Sequence, residues 1–209
     1  MNKRDKVKII IARLDERYPQ EDKCYLNYTH DYELLIATIL SAQCTDDRVN
    51  LVTEKLFKKY KSLDDFANSD LYELMEDVKS TGFYKNKAKN IKSACYTLIE
   101  KYNYILPYDI NDLTTLAGVG RKTANVVRGH IFALPSIVVD THVKRISNRL
   151  GLTKNEDPVK IEFDLMKILP KKSWIKYNQQ VIAFGREICK ARGPKCSNCF
   201  MSDICIYSK

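Results

Sequence analysis

Apolar residues recur at three- and four-residue steps along most of this chain, and that spacing commits it to helices. Residues spaced this way line one face of a helix but alternate faces of a strand. Only 7 Gly and 6 Pro interrupt 209 residues, so few positions break the pattern. The clearest case runs from about Lys85 to Tyr102, where Ala88, Ile91, Cys95, Leu98 and Tyr102 share a face. Val49, Val52, Leu56 and Tyr60 mark a second helix, opening near Thr45 and Asp46, residue types that cap helix starts. Leu34 to Leu40 is apolar all round, which predicts a buried helix able to centre a lobe. An N-terminal helix is expected over about Arg4 to Arg17. Ile137-Val138-Val139 is strand-like but too short to build a sheet. The expectation is an all-α chain of about ten helices joined by short loops, without repeats or low-complexity linkers.

Charge points to the kind of partner. Lys and Arg number 35 against 26 Asp and Glu, a net charge of +9, with a pI near 9.1. A surface of that sign suits a polyanion. A membrane surface is also anionic, but no exposed basic amphipathic segment stands out, and no run approaches the roughly 18 apolar residues a bilayer span needs. The charged N-terminus is followed by only a short apolar patch, Val7 to Ala12, interrupted by Lys8. That does not read as a signal peptide, so an intracellular protein is expected. Seven cysteines in a reducing compartment argue against a disulfide framework.

The most informative stretch is Leu113 to Ala124. A short helix is expected to end at Gly118, and a second to run on to about Phe132. Gly118 and Gly120 bracket Val119, whose side chain can tuck back between the helices. Glycines permit left-handed turns and close approach of another backbone. Free N–H groups at the second helix start face outward, where a phosphate can accept them. A bare Gly-x-Gly by itself favours an ordinary tight turn, but Arg121-Lys122 and the flanking helices reverse that balance towards a phosphate-gripping hairpin. Lys122 falls in the first helical turn, where the helix dipole opposes a charge and favours the neutral, nucleophilic amine; partial burial would add to this. Taken alone, it also reads as a phosphate-binding surface lysine. Asp140 follows an apolar run and opens a helix expected to reach Leu150, with Gly151 as its stop. Its ordinary role there is an N-cap, which is compatible with catalysis because a cap holds its carboxylate rigidly.

Near the C-terminus stand Cys189, Cys196, Cys199 and Cys205, with six, two and five residues between them. Four close cysteines with one C-x-x-C indicate a metal site, and by chemistry alone zinc and iron–sulfur are both open. Lys190, Arg192 and Lys195 lie in the first of these loops and suit phosphate contact, or a merely solvated face. Cys24, Cys44 and Cys95 are scattered and read as packing residues.

Leu116 to Ala124, followed by Val139-Asp140-Thr141-His142, resembles the active-site region of the endonuclease III family. The likeness extends over nearly the whole chain, with four separated motifs in the family's order. It implies a two-lobed helix-hairpin-helix DNA glycosylase fold. One lobe would be a six-helix bundle at about 25–133 holding the hairpin (about 111–132). The other would be a discontinuous lobe of 1–24 plus 134–209, with a [4Fe–4S] loop at 189–205. DNA would lie across the cleft, with Lys122 and Asp140 facing each other.

The resemblance makes Lys122 the nucleophile, Asp140 its partner, and the four cysteines the cluster ligands, with no dissociable cofactor. Gly118, Val119, Gly120 and Arg121 become DNA contacts, beside Lys190, Arg192 and Lys195. An enzyme that acts on a buried base must extrude it and fill the hole. In Ser41–Asp46 that filling role falls on Gln43. In Thr81–Ala88, which resembles a second inserting loop, the wedge is Phe83. Cys44, Phe83 and Ala117 depart from the smaller residue, the Leu and the Pro frequent there. The implied activity is removal of damaged, oxidised pyrimidines from double-stranded DNA, then strand cleavage at the abasic site. A monomer in a bacterial or archaeal cytoplasm, at the nucleoid, is expected. The rivals are a base-only glycosylase, disfavoured by Lys122; a DNA-binding module without chemistry; and a zinc protein alike only near its C-terminus.

Overall fold

The computed structural model describes residues 2–19 and 24–208; residues 1, 20–23 and 209, which the expected lobe boundaries span, lie outside the described residues. Eleven α-helices and three short 3-10 turns account for the regular structure among the described residues, and none of these residues forms a strand. The chain is all-α, as its periodicity predicts. Ile137, Val138 and Val139 are buried but form no strand.

Contacts gather the chain into two units, Cys24–Leu134 and Met1–Lys23 with Pro135–Lys209. The first holds α2 (Asp31–Leu40), α3 (Asp46–Lys59), α4 (Leu63–Asn68), α5 (Leu71–Asp77), α6 (Tyr84–Glu100), α7 (Ile110–Thr115) and α8 (Arg121–His130). Helix α2 is buried along Glu33–Leu40 and packs against α3, α6 and α8, so the all-apolar stretch does centre this unit. The α6 stripe is buried at Ala88, Ile91, Cys95 and Leu98, and α3 buries Val49, Val52 and Leu56. Truncating any one of these large aliphatics to Ala would cost about 2–5 kcal/mol. Thr45 caps α3, its hydroxyl accepting from the Arg48 N–H at 3.3 Å. Burial pushes the Cys95 thiol up to about 12, and that of Cys24 also upward, which suits packing rather than ligation.

The second unit holds α1 (Lys3–Arg17), α9 (Thr141–Arg149), α10 (Pro158–Ile168) and α11 (Trp174–Glu187). Helix α1 packs on α10 and α11. It is tied down by a two-toothed pair in which Arg13 Nη1 and Nη2 donate to the Asp203 carboxylate at 2.6 and 2.9 Å, and by the Tyr18 hydroxyl donating to Glu187 at 2.7 Å. Tyr177 and Phe184 of α11 lie at the centre of its core.

Candidate active site and cysteine loop

The hairpin is tighter than the sequence suggests. Helix α7 ends at Thr115, three residues before Gly118, because Leu116 turns extended (ψ 137°) and sinks into the core. Leu116 N–H then bonds back to Leu113 O, and Val119 N–H to Leu116 O, each at 3.1 Å. Gly118 has φ +77°, and a Cβ there would meet Asn90 of α6 at 2.9 Å. Both facts require glycine. Val119 is 5% exposed and belongs to the bundle core. Gly120 differs: φ −87° and ψ 176° suit any residue, and a Cβ would meet nothing within 4 Å. Its missing side chain leaves open space at the start of α8, and no side chain caps that start. The first-turn N–H groups of a ten-residue helix therefore lie where an outside anion could approach. Lys122 sits in that turn and is exposed; Arg121 is half-buried. Helix α8 stops at His130, two residues short of Phe132.

Asp140 is held quite differently. Its Oδ1 accepts from Val143 N–H at 2.7 Å, the N-cap bond of α9, and its Oδ2 lies 3.4 Å from His142 Nδ1. The side chain is 14% exposed. The segment leading into Asp140 is anchored by Asn178 of α11, whose Nδ2 donates to Val138 O at 2.8 Å. Helix α9 ends at Arg149, and Gly151 (φ +70°) turns the chain just beyond it. Gly185 on α11 lets α9 approach: a Cβ there would stand 2.5 Å from the His142 ring and 2.9 Å from Arg145 Nη2.

Two arginines that sequence reading passed over organise the cysteine loop from α9. Arg145 donates through Nε and Nη2 to Cys189 O at 3.2 and 3.0 Å, and burial lowers its pKa. Arg149 donates to Lys190 O at 2.8 Å and Ala191 O at 3.2 Å, reaches Cys189 Sγ at 3.4 Å, and lies 4.2 Å over the Tyr207 ring. A basic last turn was the only signal in sequence, and it reads as an ordinary helix end. Lys190, Arg192 and Lys195 are exposed on the loop.

Cys189, Cys196, Cys199 and Cys205 line one pocket with Arg149, and none is in a disulfide. Met201 N–H points at Cys199 Sγ at 3.4 Å. Burial raises the Cys199 pKa, and the other three thiols raise it further. Four cysteines lining one pocket, with N–H and guanidinium donors at two of the sulfurs, fit a cationic metal–sulfur group that would take them as thiolates. No three His, Cys, Asp or Glu side chains among the described residues close round a single-ion site.

Gln43 and Phe83 both adopt left-handed backbone, with φ +55° and +50°. Both are exposed, Phe83 by 64%. The second loop is much shorter than Thr81–Ala88: α6 begins at Tyr84, so Gly82 and Phe83 alone project before it. Among the described residues, no helix is long and apolar enough to cross a membrane.

The comparisons agree with this geometry. The family model of the HhH-GPD superfamily base excision DNA repair proteins matches residues 36–171. The endonuclease III of Synechocystis sp. is 46% identical, covering 98% of this chain and 93% of its own. That of Bacillus subtilis is 43% identical, covering 95% and 91%. A solved structure of a trapped endonuclease III–DNA covalent intermediate superposes with a TM-score of 0.94 at 42% identity, covering 100% of this chain and 97% of that one. The chain therefore belongs to the endonuclease III family, within the HhH-GPD superfamily of base excision DNA repair proteins.

Proposed function

We propose that this chain is a base excision repair glycosylase and abasic-site lyase in which Lys122 is the nucleophile. The observation that carries this reading is the exposed amine of Lys122 in the first turn of α8, a helix whose start no side chain caps. A DNA backbone bound there through phosphate brings a sugar within reach of that amine. The neutral amine attacks C1′ and the glycosidic bond breaks, the base leaving with a proton. The ring opens to an iminium, which acidifies the C2′ protons. Loss of one of them expels the 3′ phosphate and cuts the strand. Asp140 supplies a rigid carboxylate that stabilises positive charge developing on the sugar. The substrate class is damaged pyrimidines, with oxidised bases foremost, in double-stranded DNA of a bacterial cytoplasm. Gln43 and Phe83 fill and wedge the opened stack, while Gly118, Val119, Gly120 and Arg121, with Lys190, Arg192 and Lys195, hold phosphates.

Cys189, Cys196, Cys199 and Cys205 would hold a [4Fe–4S] cluster. Bound there, it supplies a rigid cationic anchor for the Lys190–Lys195 loop rather than a reacting group. Cys196→Ser should lose iron and the broad absorbance near about 400 nm of thiolate-bound iron–sulfur; full iron stoichiometry would remove it from the ligand set, and zinc instead of iron would identify a zinc site.

The test of the reading is borohydride trapping on a duplex with one abasic site, with Lys122→Gln alongside. Wild type should give a permanent protein–DNA band and the variant none. A band of normal strength from Lys122→Gln would reassign the nucleophile.

A further inference from the structure

Lys87 is buried to 4% exposure, the only lysine or arginine so deeply buried among the described residues. It lies in the first turns of α6, and its Nζ donates to Leu40 O and to Thr81 O, both at 2.8 Å. Among the described residues, these partners are carbonyls rather than carboxylates. Burial accordingly lowers its pKa. A protein that keeps a desolvated cation without a counter-ion is using its donors, because an isolated buried charge is expensive.

The two carbonyls are placed tellingly. Leu40 is the last residue of α2, and Thr81 the last of the 3-10 turn Lys79–Thr81. A cation suits both ends, where backbone carbonyls lack helical partners. Gln43 follows Leu40 by three residues, and Phe83 follows Thr81 by two. Both are non-glycine residues held left-handed, at a cost of roughly 1–2 kcal/mol each. Such backbones persist only where the surroundings fix them. One ammonium therefore ties the bases of the two projecting segments to the same point on α6.

We propose that Lys87 is a positioning residue for base extrusion: it sets the spacing of the Gln43 and Phe83 loops so that both enter the duplex together. This rests on the reading that those two residues enter DNA. The molecule carries its own control. Lys92, also on α6, donates to Ala67 O at 2.6 Å and Ser69 O at 2.7 Å, closing the end of α4. It performs the same structural task beside no projecting loop.

The test compares base release from one thymine glycol, either paired in duplex or placed in an unpaired bubble, where extrusion has little to overcome. Lys87→Met should slow release from the duplex by about tenfold or more while changing the bubble rate by less than about threefold. Lys92→Met should lower the melting temperature without changing the duplex-to-bubble ratio. Lys87→Gln, which retains amide donors, should show a smaller shift of the same ratio; it decides the matter if the Met variant does not fold. Equal slowing on both substrates by the Lys87 variants would overturn the proposal. A Gln43→Ala, Phe83→Ala double variant separates the causes. If it loses the ratio while Lys87 variants keep it, the positioning role alone falls. If it keeps the wild-type ratio, the loop reading falls and the proposal with it.

Discussion

Helices α8 and α9 begin in opposite ways. Each leaves first-turn N–H groups without intrahelical partners. Helix α9 answers from within: Asp140 accepts from Val143 N–H at 2.7 Å and is held at 14% exposure. Helix α8 starts on Gly120, which has no side chain to offer and nothing within 4 Å of where one would be. A closed helix start fixes a carboxylate in one orientation; an open one keeps its N–H groups available to an outside anion. A helix start without a cap thus serves a role that a capped one cannot. It also explains why the two proposed catalytic groups differ so much in exposure: an amine must reach a sugar, whereas a stabilising carboxylate acts by staying still.

Substitutions at the two helix starts separate these roles. The largest effect belongs to Lys122→Gln, which should abolish covalent trapping yet leave DNA affinity within about threefold, since the phosphate-facing N–H groups remain. A parallel collapse of affinity, measured by anisotropy, would show that Lys122 chiefly binds phosphate. Next, Asp140→Asn should slow base release by about 10²–10⁴-fold, the range of a lost catalytic carboxylate, at nearly unchanged stability because Asn caps as well as Asp. Asp140→Ala should lose, in addition, about 1 kcal/mol of stability with the cap. Near-normal turnover by the Asn variant would reduce Asp140 to a cap. Gly120→Asp closes the open start. It should stabilise the protein by only about 0.3 kcal/mol in denaturant titrations while weakening DNA binding by about tenfold, since the new carboxylate occupies N–H groups and repels phosphate. Unchanged affinity would mean that α8 does not meet the backbone. The smallest effect on DNA binding is expected at Gly118→Ala, where positive φ and the Asn90 contact should instead cost about 1–2 kcal/mol of stability. Its DNA affinity should fall only as far as the turn distorts.

Much of the fold was legible because burial follows a period. The Lys85–Tyr102 stripe and the apolar run Leu34–Leu40 appear as α6 and α2 with ends displaced by a few residues. Helix ends were read less well, since they depend on tertiary pull. Leu116 leaves α7 for the core, and Phe83 takes left-handed backbone where a longer loop was expected. The family resemblance led to Lys122, Asp140 and the cysteines by local strings. Arg145 and Arg149 belong to no such string, and Lys87 stands inside Thr81–Ala88 with no role assigned by it; each meets carbonyls or sulfur brought in by the fold.

By itself, then, the sequence determined the helical class, the basic charge, the glycine turn and the spacing of four cysteines. These are written in local order: a period of 3.6 residues, a residue without Cβ, thiols a few positions apart. Tertiary structure alone decided which helix start stays open, which arginines brace the cysteine loop, and which lysine is buried to hold two strained loops. Those outcomes depend on atoms brought together from far along the chain, where burial makes every unpaired polar group costly and so selects the partner.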